Sequence, residues 1–99
     1  MRGFIVTVIV RFYGVLRDII SEKLELEVSG GEIPFTDLVG ELLRRHPVLG
    51  KYIMLTERGV EVRGVTVLVN GRHIVFLGGD KALIRSGDII DILPPLHGG

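Results

Sequence analysis

The chain contains no cysteine. That excludes disulfides, thiolate metal sites and a cysteine nucleophile together. It also has no excess charge of either sign, with 12 Lys and Arg against 12 Asp and Glu. The arginines are scattered rather than run together, so no basic face for nucleic acid is expected. The longest apolar run, Phe4 to Val10, is interrupted at Thr7 and closed by Arg11. It is too short to span a bilayer. No small-residue cleavage site follows it, and Asp18 and Glu22 come soon after, so it does not read as a secretion signal. With neither membrane nor export signal, a cytoplasmic location is expected.

What is present is the composition of one globular domain. Ninety-nine residues, 46% hydrophobic and 24% charged, are enough to bury a core without staples. "FIVTVIVRF" (Phe4 to Phe12) is β-branched, aromatic and almost continuously apolar, which predicts a strand at the sheet centre, buried on both faces. "KLELEV" (Lys23 to Val28) alternates strictly and predicts a strand with one wet side. "TDLVGELLRRH" (Thr36 to His46) changes period, placing Leu38, Val39, Leu42 and Leu43 on one helical face. Thr36 is the expected N-cap, Asp37 and the run Arg44 to His46 suit the helix dipole, and Pro47 ends the helix. Gly40 weakens it by roughly 1 kcal/mol relative to alanine, so packing must hold it.

Residues 48–64 read as a short helical turn followed by a hairpin through Glu57-Arg58-Gly59. "VTVLV" (Val65 to Val69) predicts a strand, and Asn70-Gly71 a tight turn into a second strand, "RHIVF". Ser86-Gly87-Asp88 is a turn, and "IIDIL" (Ile89 to Leu93) is the last strand before Pro94-Pro95 ends the ladder. Two strands, one main helix and further strands form an α+β fold. The arrangement is a single β-grasp (ubiquitin-like) domain, a mixed sheet crossed by one main helix. With "IIDIL" placed beside the first strand, residues 1–93 make the domain and 94–99 a flexible tail.

Conventional active-site patterns are missing. No dinucleotide or phosphate-loop glycine pattern occurs. His46, His73 and His97 are widely spaced and read as surface or capping residues, so no metal site is expected. Ser21, Ser29 and Ser86 sit in turns without a nucleophile elbow. Asp80, Asp88 and Asp91 read as carboxylates of a solvated turn. The chain does not look like a self-sufficient enzyme.

The tail "PPLHGG" is different. Gly-Gly occurs three times, at residues 30–31, 78–79 and 98–99, and only the last pair carries the chain's terminal carboxylate. Six residues from Pro94 reach roughly 20 Å when extended. The prolines favour a stiff, extended start, and two residues without Cβ can thread a channel too narrow for any other. A carboxylate activated as a mixed anhydride with AMP is open to a sulfur nucleophile or an amine. The contrary reading of the same residues is a frayed, functionless end.

"RFYGVLRDI" (Arg11 to Ile19), "VNG" (Val69 to Gly71) and "SGDIIDILPPLHGG" (Ser86 to Gly99) together resemble the small subunit of molybdopterin synthase, a ubiquitin-like sulfur carrier. Gly87, Asp88, Pro94, Pro95, Gly98 and Gly99 match that family's ending, and "LLRRHP" and "VLVNGRHI" extend the similarity over most of the chain. The resemblance implies that Gly99 is adenylated by a ubiquitin-activating-type enzyme using ATP and converted to a thiocarboxylate with sulfur from a donor protein. The tail then enters the large synthase subunit, where its sulfur attacks the pterin precursor of the molybdenum or tungsten cofactor. Catalytic side chains belong to that subunit, and the carrier itself binds no cofactor. Gly98 and Gly99 carry over as the reactive tip, Pro94 and Pro95 as its base, and Tyr13 and Leu93 as partner contacts. Ser86 replaces the family's usual acid, and Leu96-His97 a usually smaller pair. Alternatives are a carrier for tRNA thiolation or thiamine synthesis, and a ubiquitin-like modifier joined to lysines. Archaeal relatives combine the carrier and modifier roles.

Overall fold

A computed structural model describes residues 5–95 of the chain. The expectations for Phe4, Leu96-His97, Gly98 and Gly99 lie outside those residues. The elements in chain order are β1 (Ile5–Phe12), α1 (Val15–Ile19), β2 (Lys23–Ser29), β3 (Ile33–Pro34), α2 (Phe35–Arg45), β4 (Ile53–Thr56), β5 (Gly59–Val62), β6 (Thr66–Val69), β7 (Arg72–His73), β8 (Leu83–Ile84) and β9 (Ile89–Leu93). The principal sheet has the order β2-β1-β9-β6-β7. β1 runs antiparallel to β2 and parallel to β9, and β6 runs antiparallel to β9. A parallel pair cannot be closed by a tight turn, so the whole intervening chain, with α2 in it, serves as the crossover.

The two most apolar strands therefore lie side by side at the centre, as their sequences predict. Val6, Val8, Val10 and Phe12 of β1, Ile90 and Ile92 of β9 and Val67 and Val69 of β6 are buried in one core with Phe35, Leu38, Val39 and Leu42 of α2. The other face of the sheet is uncovered. Ile5 is exposed, and Thr7 and Ile9 are half-buried. Burial of the first strand on both faces is therefore not what the fold does, because only one layer of helix is available to cover the sheet.

β2 alternates as expected, with Leu26 buried and Lys23, Glu25 and Glu27 exposed. The helix begins two residues earlier than the expected cap places it. Pro34, not Thr36, precedes its first turn, and no side chain caps it. The start is set instead by tertiary bonding: β3 pairs with β8, and the Phe35 N–H donates to the Ala82 carbonyl at 2.8 Å. Near the other end Arg44 and Arg45 both pair with Glu41.

Residues 48–64 fold much as expected. A 3₁₀ turn over Pro47–Lys51 leads into the β4–β5 hairpin. Asp80 accepts the Val60 N–H at 3.1 Å and ties that hairpin to the body. At Gly40 an added Cβ would stand 3.4 Å from Leu55 Cδ1 of this hairpin, an ordinary van der Waals distance, so the packing does not demand glycine there.

The turn at Asn70-Gly71 has positive φ at both residues, as a two-residue hairpin requires. The strand predicted after it stops at His73. His73 Nδ1 accepts the Val75 N–H at 3.1 Å, capping a 3₁₀ turn over Ile74–Leu77 that turns Ile74 into the core. The capping role expected of a histidine is thus met at His73. No helix among the described residues is long and apolar enough to cross a membrane.

Candidate functional site: the root of the C-terminal tail

β9 ends at Leu93 in the middle of the sheet, with Leu93 opposite Thr66 of β6. Pro94 and Pro95 leave that central strand between two neighbouring loops. Gly14, just past the end of β1, has φ +59°, and an added Cβ would stand 2.9 Å from Pro94 Cγ. Gly64, just before β6, has φ +80°, and an added Cβ would stand 2.9 Å from Pro95 Cγ. Both backbones adopt the positive φ that side-chain-bearing residues disfavour, and both approach a proline ring too closely to admit a methyl group. The stiffness expected of the two prolines is thus joined to seating on both sides of the strand. Neither glycine is marked out by sequence pattern alone.

Tyr13 and Leu93, the two expected partner-contact residues, lie at this end of the sheet and are half-buried. Tyr13 does more than pack. Its hydroxyl donates to Asp91 Oδ1 at 2.9 Å. Arg11 lies opposite Asp91 in the β1–β9 register and grips the same carboxylate, Nε to Oδ1 at 2.6 Å and Nη2 to Oδ2 at 2.9 Å. Asp91 is the buried charged residue among those described, at 7% exposure. It sits on the uncovered face, with opposite parity to Ile90 and Ile92. Taking a carboxylate out of water is costly unless it is paired and hydrogen-bonded, and here three donors meet it.

The electrostatics follow from that geometry. Hydrogen bonding by Arg11 holds the Asp91 carboxyl below the usual carboxylate range, against the opposing effect of burial, and Tyr13 adds in the same direction. The Tyr13 phenol is pushed up, first by its bond to Asp91 and then by burial. The solvated-turn reading of Asp80, Asp88 and Asp91 is therefore wrong for Asp91, and the three have separate partners. Asp80 binds Val60, Asp88 binds Asn70 and Arg85, and Asp91 binds Arg11 and Tyr13. The sequence did carry a signal for the last group: one acid inside an aliphatic strand, with one arginine inside the strand that flanks it.

Arg11 and Tyr13 also line a cleft of about 510 Å³ with Arg17, Glu22 and Lys23. It opens beside the tail root, since Gly14 follows Tyr13 directly. Among the described residues no group of three His, Cys, Asp or Glu is arranged to hold a metal ion. The chemistry expected at Gly98 and Gly99 falls outside the described residues, so the structure positions the base of the tail rather than its tip.

A helix-crossed mixed sheet whose last strand lies centrally and releases a C-terminal tail defines a ubiquitin-like β-grasp protein. Residues 10–99 match the ThiS family, and the chain belongs to that family of ubiquitin-like sulfur carriers. It is 28% identical over 89 residues to small archaeal modifier protein 3 of Haloferax volcanii, covering 90% of this chain and 95% of that one. Small archaeal modifier protein 1 of Methanosarcina acetivorans superposes with a TM-score of 0.71 at 29% identity, over 98% of this chain and 100% of the other. A Pyrococcus furiosus protein described as a candidate molybdopterin converting factor subunit 1 also has a TM-score of 0.71, at 23% identity over 92% and 99% of the two chains. That last likeness bears on the fold.

Proposed function

We propose that the chain carries sulfur as a thiocarboxylate at Gly99 and delivers it to the pterin precursor as the small subunit of molybdopterin synthase. The observation that carries this reading is the seating of Pro94 and Pro95 against Gly14 and Gly64 at the end of the central strand. A rigid root on a slim tail suits a group that must enter another protein's active site, because less freedom is lost on insertion.

The chemistry begins with a partner enzyme of the ubiquitin-activating type. The Gly99 carboxylate attacks the α-phosphorus of ATP, pyrophosphate leaves, and a mixed anhydride with AMP remains. A sulfur nucleophile provided by a donor protein then adds to the carbonyl and expels AMP. If that nucleophile is a persulfide, a thiol must afterwards cleave the acyl disulfide to release the thiocarboxylate. The carrier supplies the electrophile and its presentation. Tyr13 and Leu93, beside the root, offer a surface for the large synthase subunit and for the activating enzyme.

A second reading is favoured by the 28% identity to small archaeal modifier protein 3 across nearly its whole length. Here the same adenylate is captured by a lysine amine, and Gly99 ends in an isopeptide bond. Both readings share the activation step and differ in the nucleophile.

Intact mass of the protein from its native host, with fragmentation of the C-terminal peptide, tests the proposal. Sulfur in place of one oxygen at Gly99 is expected. Loss of molybdopterin when Gly98-Gly99 is deleted would assign the pathway. Unmodified Gly99 together with Gly-Gly remnants on lysines of other proteins would replace the carrier reading with the modifier one.

A further inference from the structure

A second groove lies at the other end of β9 from the tail. Its volume is about 470 Å³. Val69, Leu77 and Leu83 give it aliphatic walls, and Arg72, Lys81 and Arg85 bring three cations to it. Asp88 and Asn70 also line it, but their polar atoms are already engaged. Asn70 Nδ2 donates to Asp88 Oδ1, and Asn70 Oδ1 accepts the Ile89 N–H, both at 2.9 Å. Asp88 Oδ2 accepts the Arg85 N–H at 2.9 Å. The Arg85 guanidinium is paired with Glu32. Among the described residues Arg72 and Lys81 have no acidic partner.

The surroundings are unusually apolar for a surface. Leu83 is 51% exposed, and Val75 and Phe76, on the 3₁₀ turn that carries Leu77, are 60% and 78% exposed. Unpaired backbone borders the groove as well. β7 is the last strand of the principal sheet, and β8 is bonded only to β3. Aliphatic walls, two unmatched cations and open strand edges are complementary to one kind of ligand.

We infer that this groove docks an extended segment of a partner protein in which acidic and aliphatic side chains alternate. The aliphatic side chains would enter the recess, and the carboxylates would meet Arg72 and Lys81. A recess fits such a segment better than it fits a flat bilayer surface. Asp88 and Pro94 are separated by the length of β9, roughly 20 Å at strand rise. An occupant of the groove therefore leaves the tail root free. The groove is a tether that holds the carrier on a partner while its tail reaches an active site, and it serves whichever pathway the tail supplies.

The test is an NMR titration of the ¹⁵N-labelled full chain with a hexapeptide of alternating glutamate and leucine. A lysine–leucine hexapeptide and phosphatidylserine vesicles serve as controls. Saturable shifts confined to residues 69–88 are expected. Binding should weaken about tenfold or more in the Arg72→Glu, Lys81→Glu double variant, which should melt as the parent does because both side chains are exposed. Binding should be unchanged after deletion of Gly98-Gly99, which separates this site from the chemistry of the tail. No saturable shift at millimolar peptide would overturn the inference. So would shifts centred on Tyr13, equal affinity in the double variant, or an equal response to the lysine peptide. Vesicle binding without peptide binding would replace the tether with a lipid-facing surface.

Discussion

Arg11 and Asp91 face each other across the parallel β1–β9 pair, 80 residues apart in sequence, and close a two-point contact with distances of 2.6 and 2.9 Å. Tyr13, the residue just past the end of β1, completes the contact. The strand pairing that joins the beginning of the fold to its end thus carries a buried carboxylate with its donors. This ties the root of the tail to the sheet centre.

Breaking that contact from one side should harm more than removing it whole. Arg11→Leu leaves Asp91 without its guanidinium and should lower the melting temperature clearly. The Arg11→Leu, Asp91→Leu double variant should recover part of the loss, because no uncompensated charge remains. A double-mutant cycle on thermal melts measures the coupling, and strict additivity would count against it.

The same group sets an acid limit. Asp91 has an ordinary value of 3.8 and is lowered in the folded chain. Its contribution is fully present above 3.8 and is lost as pH falls through the lower folded value, where the unfolded chain binds the proton more readily. Tyr13, ordinarily 10.0, is raised, so its contribution is present below 10.0 and is lost as pH rises through the folded value. Urea midpoints measured against pH should fall below 3.8 in the parent and stay flatter there in Asp91→Asn. Parallel curves for the two proteins would contradict the assignment.

Gly14→Ala and Gly64→Ala each combine a disfavoured positive φ with a methyl group pressed on a proline ring. Each should cost about 1–3 kcal/mol in chemical denaturation. Adding Pro94→Ala to Gly14→Ala should return only part of that loss, since the backbone strain remains. If the tail root must be rigid for delivery, thiocarboxylate transfer should slow in both glycine variants under conditions where they remain folded.

Core and tail should separate cleanly. Leu38→Ala or Leu42→Ala, both buried under the sheet, should destabilise by about 2–5 kcal/mol. Deleting Gly98-Gly99 should leave the melting temperature unchanged and abolish thiocarboxylate formation. If Leu93 and Tyr13 form the partner surface proposed above, Leu93→Ala should weaken binding to an adenylating enzyme of the ubiquitin-activating type, measured by titration calorimetry, with a smaller effect from Tyr13→Phe, which keeps the ring.

Much of the architecture was legible along the chain because period is a local property. Alternation marked β2, continuous β-branched runs marked the two central strands, and spacing of Leu38, Val39 and Leu42 marked the helix face. Asn70-Gly71 and Pro94-Pro95 punctuated the rest. What failed did so where tertiary bonding or packing overrode a local preference. Thr36 is a good cap, yet the helix starts at Phe35 because the Ala82 carbonyl takes that N–H. "RHIVF" has strand composition, but Ile74 is turned into the core and a capped 3₁₀ turn replaces the strand.

By itself, then, the sequence determined the type of the longer elements, the helix-facing leucines and the closing Gly-Gly. Tertiary structure alone decided which loops receive Pro94 and Pro95, that Asp91 meets Arg11 and Tyr13, and that two cations without an acidic partner among the described residues stand over an aliphatic groove. The reason is physical. Hydrophobic period records which face of an element is buried, whereas the partner of a buried charge or a proline ring depends on strand order and register, which emerge only when the whole chain has packed.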